Sequence, residues 1–379
     1  MLPVLSLLLH VYVGRRLLAE IGEWPMLSGL LLLSLTSSAL FMPMGIGPGT
    51  RLAGAGHGVA RVVIWLGWAG MGLFSSLFVL TVLRECLLLV ALAANAFQPG
   101  LLDLADIRRN SALITALLGF LITALGFSNA RRTAAVSRVT IPVSNLPAAL
   151  QGFRLVQISD IHIGPTIRSG YLRRIVAAVN QLGPDMVAIT GDLVDGSVRE
   201  LASHVGPLAE LVSRHGTYFV TGNHEYYSGA HAWINELRRL GITVLLNEHV
   251  VLGHDGALAV VAGVTDYSAA HFDPTHRSDP LAAIAGSPSN AGVKILLAHQ
   301  PRSAPAAADA GFDLQLSGHT HGGQFMPWNF FVKLQQPFVA GLHRIRQLWV
   351  YTSRGTGYWG PPKRFGAPSE ITLVTLVNA

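Results

Sequence analysis

Five polar clusters in the second half of the chain carry the side chains that could do chemistry. They are Asp160-Ile161-His162, Gly191-Asp192-Leu193-Val194-Asp195, Gly222-Asn223-His224-Glu225, His299, and Gly318-His319-Thr320-His321. Each follows a short apolar run of strand type: 154–159, 185–190, 216–221, 293–298 and 312–317. Singly these clusters say little, since Asp-x-His and Gly-Asp recur by chance and a histidine after an apolar run is commonly just packed. Gly318-His319-Thr320-His321 says more, because glycine lets the backbone turn while two imidazoles emerge two residues apart. Together they put carboxylates, an amide and imidazoles at the ends of five strands, along the kind of sheet edge where α/β proteins bind ligands. Imidazole nitrogen and carboxylate oxygen without thiolate suit Mn²⁺, Fe or Zn²⁺, and the donor list alone does not choose among them.

The elements that must hold these clusters alternate. After the run at 154–159, Leu172, Ile175, Val176, Val179 and Leu182 fall on one helical face. Further strands are predicted at 242–246, 250–252, 258–264, 347–352 and 371–377, with a helix over 232–240. Strands in quick succession among helices predict an α/β domain built as a two-sheet β sandwich flanked by helices, not a single doubly wound sheet.

The ordered set Asp-x-His, Gly-Asp-x-x-Asp, Gly-Asn-His-Glu, His and Gly-His-x-His resembles the calcineurin-like metallophosphoesterase superfamily over residues 151–379. Three later segments resemble its membrane-anchored branch, which carries several N-terminal spans: Gly322-Gly323-Gln324, Ser353-Arg354-Gly355-Thr356-Gly357 and Pro361-Pro362-Lys363-Arg364-Phe365-Gly366. The resemblance implies that Asp160, His162 and His321 hold one divalent ion. Asn223, His299 and His319 would hold a second, and Asp192 and a hydroxide would bridge the two. Two such ions, two carboxylates and a hydroxide sum to one positive charge, which attracts a phosphate ester. Paired ions about 3.5–4 Å apart suit in-line displacement at phosphorus. His224 would stabilise the pentacoordinate phosphorus or protonate the leaving oxygen. Asp195 and Glu225 would orient the ligands, and Arg354 is equally a phosphate contact or a structural arginine. The expected activity is hydrolysis of phosphate mono- or diesters, lipid-linked esters among them. The alternative is a catalytically inactive membrane sensor or scaffold, whose degenerate site would have lost a ligand; none is lost here. The remaining histidines fit no metal spacing, although His271 and His276 sit in a Pro-containing loop placed to flank the pocket.

The first half is different in kind. The chain has 379 residues, 50% hydrophobic and only 13% charged, against roughly 25% charged in soluble domains. Residues 1–150 hold ten Arg, no Lys and five acidic residues. The excess of positive charge therefore lies beside apolar segments instead of lining a groove, which argues against nucleic acid as a partner. Stretches 1–14 (extending to Leu18), 24–50, 62–83 and 110–130 lack interior charge and predict four membrane helices. Stretch 86–102 is read as continuing the third helix past an interfacial Arg84–Glu85 pair, with a fifth span as the alternative. The chain thus divides into a transmembrane region 1–130, a polar connector 131–150 and a phosphoesterase domain 151–379. With four spans, Arg51, Arg61, Arg131, Arg132 and Arg138 face Arg15, Arg16, Arg108 and Arg109 across the bilayer. That margin predicts a cell-membrane protein with a cytoplasmic catalytic domain. Phe325, Trp328, Phe330 and Phe331, soon after the last ligand, suit either the lipid interface or a core.

Overall fold

The computed structural model describes residues 2–46 and 57–379. The end of the second apolar stretch, Gly47–Thr50, and Arg51 of the loop after it lie outside the described residues. The chain forms two units: Met1–Arg131 with Gly360–Phe365, and Arg132–Trp359 with Gly366–Ala379.

In the first unit the apolar stretches become α1 (Leu2–Leu18), α2 (Pro25–Ile46), α3 (His57–Phe97) and α4 (Leu104–Arg131). In lipid a helix satisfies every interior backbone polar group within itself, so charge-free runs of this length have few other choices. Among the described residues, three helices are long and apolar enough to cross a membrane: 25–44, 58–97 and 104–131. The 17-residue α1 packs with them, burying Val13 and Leu17 in a cluster with Leu31, Leu35, Leu77, Ala112 and Ala116. Helix α3 runs unbroken through Arg84 and Glu85. Arg84 is buried and satisfied: Nη1 pairs with Glu85 at 2.7 Å, Nε donates to Ser111 Oγ at 2.9 Å, and Nη2 donates to the Arg108 carbonyl at 2.8 Å. Arg16 completes the network with a 2.8 Å ion pair to Glu85. The segment 360–365 belongs to this unit too. Its Lys363 is buried, with Nζ donating to the Gly72 carbonyl at 2.8 Å and to Ser76 Oγ.

The second unit is two six-stranded sheets. The strands are β1 (Ala135–Val143), β2 (Arg154–Ile158), β3 (Met186–Thr190), β4 (Thr217–Val220), β5 (Thr243–Val244), β6 (Glu248–His254), β7 (Ala257–Gly263), β8 (Val293–Leu297), β9 (Leu314–Ser317), β10 (Gly341–Ile345), β11 (Leu348–Thr352) and β12 (Glu370–Asn378). One sheet runs β1-β12-β2-β3-β4-β5 and the other β10-β11-β9-β8-β7-β6. Leu155, Ala188 and Val220 of the first share a buried cluster with Val261, Ile295 and Leu316 of the second, as two facing sheets require. Helix α5 (Ser169–Gln181) buries the predicted stripe Leu172, Ile175, Val176 and Val179. Helices α6 (Val198–Val205), α7 (Asn223–Ser228) and α8 (Ala230–Arg239) follow the next strands.

Strands β2, β3 and β4 are parallel neighbours, with Ile158 beside Ile189 and Thr190 beside Val220. Strands β8 and β9 are likewise parallel, with Leu297 beside Leu316. The five polar clusters therefore leave their strands in the same direction within each sheet. Two strands fall where the sequence suggests none. β1 occupies the polar connector, where Val139, Ile141 and Val143 supply an alternating β-branched face, and it pairs parallel with β12. β10 forms a hairpin with β11.

Candidate metal centre

The loops after β2, β3 and β9 share an uncommon backbone. Asp160, His162, Asp192, His319 and His321 all have φ between +51° and +69°. Non-glycine residues avoid this left-handed region, and holding it costs of order 1–3 kcal/mol per residue. Two glycines make the close approach possible. A Cβ on Gly222 would collide with the Asp192 carboxylate, and one on Gly318 with Asp160 and Ser159.

The strained loops converge two groups of ligand atoms. Asp160, His162 and His321 form one, and Asp192, His299 and His319 the other, each with its donor atoms within 4.8 Å of one another. His162 Nε2 lies 3.1 Å from His321 Nε2, and His321 Nε2 lies 3.5 Å from Asp160 Oδ1. In the second group His299 Nε2 is 3.2 Å from Asp192 Oδ2 and 3.2 Å from His319 Nδ1. Asp192 stands between the groups, its Oδ2 also 3.9 Å from His162 Nε2 and 4.0 Å from His224 Nε2.

The surrounding hydrogen bonds fix which ring nitrogens face inward. His299 Nδ1 donates to the Thr190 carbonyl at 2.8 Å, and His162 Nδ1 to Asp195 Oδ1 at 3.0 Å. Both acceptors lack a proton to give, so each ring keeps its Nδ1–H there and turns Nε2 toward the centre, the nitrogen a ligating imidazole would offer. Asp160 is held by the backbone N–H of His319, and Asp192 Oδ1 by that of His224 at 2.9 Å. Glu225 accepts the backbone N–H groups of Asp192, Leu193, Val194 and Gly222. It thereby ties the third and fourth strand loops together from beneath. No local sequence signal reveals that role.

The electrostatics show a pocket short of positive charge. Burial opposes ionisation of Asp192, but His299, His224 and His162 outweigh it and hold the carboxyl well below its usual range. Burial raises Asp160, with Asp192 adding to the shift. Asp192 and Asp160 overcome burial to push His299 well above its ordinary value, and Asp192 and Asp195 lift His224 to about 9. Burial, with His299 beside it, drops His319 to about 3. Burial and Asp192 raise Glu225 to about 8. Ring nitrogens facing one another at 3.1–3.2 Å beside buried carboxylates suit cations between them.

One atom decides the fit. Asn223 is buried and its Oδ1 has no hydrogen-bond partner. An orphaned carbonyl oxygen costs of order 1–3 kcal/mol, and here it sits on the residue the sequence assigns to an ion. The donor set, N and O with no sulfur, fits divalent ions of the Mn, Fe and Zn kind.

The family profile described as calcineurin-like phosphoesterase matches residues 153–323. A transmembrane protein with metallophosphoesterase domain from Danio rerio is 40% identical over 76% of this chain and 65% of its own length. Its Bos taurus counterpart is 42% identical, over 72% and 65%. An uncharacterized metallophosphoesterase of Helicobacter pylori is 36% identical over 73% of this chain and 74% of its own. The chain belongs to the calcineurin-like phosphoesterases. It spans about two thirds of the length of the two vertebrate relatives.

In this member of the family the remaining sequence candidates take these places. His224 faces Asp192 and is ringed by Tyr227 and Trp359, at 5.2 and 5.7 Å between ring centroids. Trp359 lies far along the sequence from His224, so no spacing rule points to it. Arg354 pairs with Glu370 at 2.9 Å. Phe325 is buried, whereas Trp328, Phe330 and Phe331 are exposed.

Proposed function

We propose that this protein is a membrane-anchored, binuclear phosphoesterase that hydrolyses phosphate mono- or diesters, lipid-linked esters among them. The observation that carries the reading is the pair of converging donor groups around Asp192, with the unpartnered Asn223 oxygen beside them. Asp160, His162 and His321 would hold one divalent ion, and Asn223, His299 and His319 the other, with Asp192 shared. Such a pair supplies an activated water and neutralises charge on the phosphoryl oxygens.

The chain's own residues do the rest. Asp195 receives Nδ1–H of His224 at 2.6 Å and keeps the other ring nitrogen directed at the centre. There the ring is set to donate a proton to the departing alkoxide. Asp160, His162, Asp192 and His299 are buried, and in such a setting their charges and dipoles act more strongly on a cation than they would in water. We further propose four crossings of the cell membrane and a cytoplasmic catalytic domain. Packing of α1 into the helix cluster supports counting it among them.

The test is a substrate panel on the purified full-length protein with Mn²⁺, comparing nitrophenyl mono- and diesters with lipid phosphates. Turnover of at least one class, abolished by chelator and restored by metal, supports the reading. Inertness towards all of them with both ions bound would turn it to the inactive scaffold.

A further inference from the structure

A second group of ligating side chains lies outside this centre, on the rim formed by α8 and the loop after β7. His231 stands in the first turn of α8, while Asp273 and His276 bracket a 3-10 turn, Pro274–His276. One donor atom from each lies within 4.8 Å of the others.

The geometry points to a third metal site, for a single Zn²⁺-like divalent ion held by His231, Asp273 and His276. His231 Nε2 is 3.0 Å from Asp273 Oδ2. Two donors on one tetrahedral ion, each at ~2.0–2.1 Å, sit roughly 3.3 Å apart, so the pair is spaced as one edge of such a polyhedron. Two of the three ligands, Asp273 and His276, are also oriented from behind. Asp273 Oδ1 accepts from the backbone N–H and the hydroxyl of Thr275, at 2.9 and 2.6 Å, which leaves Oδ2 for the ion. His276 Nδ1 is 2.8 Å from the Tyr226 hydroxyl, which itself reaches Thr221 Oγ1 at 3.3 Å. Supporting contacts of this kind fix ring orientation at metal sites. Two nitrogens and one oxygen with an exposed fourth side form an N₂O set that suits zinc better than magnesium or calcium.

The position gives the site a consequence. Phe272, beside Asp273, packs on Tyr226 and Tyr227 with ring centroids at 5.8 and 5.4 Å, and Tyr227 packs on His224. An ion joining α8 to this loop would clamp the aromatic wall next to the catalytic histidine.

The experiment is equilibrium dialysis of the full-length protein in detergent against Zn²⁺, followed by metal analysis. Wild type is expected to hold one more Zn²⁺ per chain than the His231→Ala/His276→Ala double variant, with both showing the same circular dichroism. His231 is exposed, so His231→Ala alone provides a variant that folds, and it too should lose that ion. Zn²⁺ should slow proteolysis within residues 264–284 in wild type and leave the double variant unaffected. Equal zinc content in wild type and both variants would overturn the site and leave His231–Asp273 a simple ion pair.

Discussion

Asp195 places a single carboxylate oxygen between two histidines of different expected duty: Oδ1 is 2.6 Å from His224 Nδ1 and 3.0 Å from His162 Nδ1. One oxygen therefore orients both a ligand ring and the ring assigned to the leaving group. His162 and His224 are themselves perpendicular, with centroids 4.6 Å apart. Asp195→Asn should weaken metal binding and slow turnover together, each by roughly 10–100-fold. Metal content and kcat measured side by side check it; a change in kcat at wild-type metal affinity would confine Asp195 to His224.

His224→Ala should separate what Asp195 joins. The variant is expected to keep its ions and lose on the order of a hundredfold or more in kcat. The loss should shrink for nitrophenolate, a leaving group that needs no proton. An equal loss for poor and good leaving groups would assign His224 to charge stabilisation at phosphorus instead.

Asp192→Asn should remove nearly all activity and lower metal content. Asp192 Oδ2 faces His299 at 3.2 Å and His162 at 3.9 Å, so one substitution touches both donor groups. Two ions per chain and a wild-type rate in this variant would rule out a shared carboxylate.

Phe330 and Phe331 are 64% and 55% exposed, and Trp328 and Leu334 beside them are exposed as well. Aromatic side chains of this kind favour the headgroup level of a bilayer. The Phe330→Ser/Phe331→Ser variant should lose several-fold in kcat/KM on a phospholipid presented in vesicles while keeping its rate on nitrophenyl phosphate in detergent. Parallel losses on both substrates would mean that the pair serves folding of the domain and not access to lipid.

Fusions at Ala379 test the sidedness. Fluorescent protein should be bright and alkaline phosphatase inactive; the reverse pattern would place the catalytic domain outside the cytoplasm and overturn this topology.

The candidate ligands at the sheet edge are legible in the sequence because their pattern is local. A polar residue directly after a strand run needs only the strand to be recognised, and Asp160, Asp192, Asn223, His299 and His319 all follow strands of four or five residues. The long α3 was legible for a similar reason, since apolar residues on both sides of Arg84 and Glu85 leave no signal to stop a helix. What escaped was non-local. β1 lies in a segment that reads as a polar linker until its partner, more than two hundred residues later, is known. The four N–H groups collected by Glu225 and the packing of Trp359 on His224 depend on loops meeting in space. The rim group was half visible: His276 stood out only as a loop histidine, because His231, which joins it and Asp273, belongs to a separate segment.

The pairing of β1 with β12 also sets an order of events during synthesis. Ala135 lies beside Glu370, and β12 separates β1 from β2 in the sheet. While the ribosome is still making the intervening residues, β1 has left it with no neighbour to bond. Its nine residues, and the open flank of β2, remain adhesive edges for that whole interval. Long-range pairing of this sort is slow to form because the loop must close before any contact rewards it. A nascent chain stalled before residue 370 would therefore carry the ligand loops of Asp160 and Asp192 but lack the strand that joins the domain's first and last segments. Such a chain would be a ready substrate for chaperones and quality-control proteases.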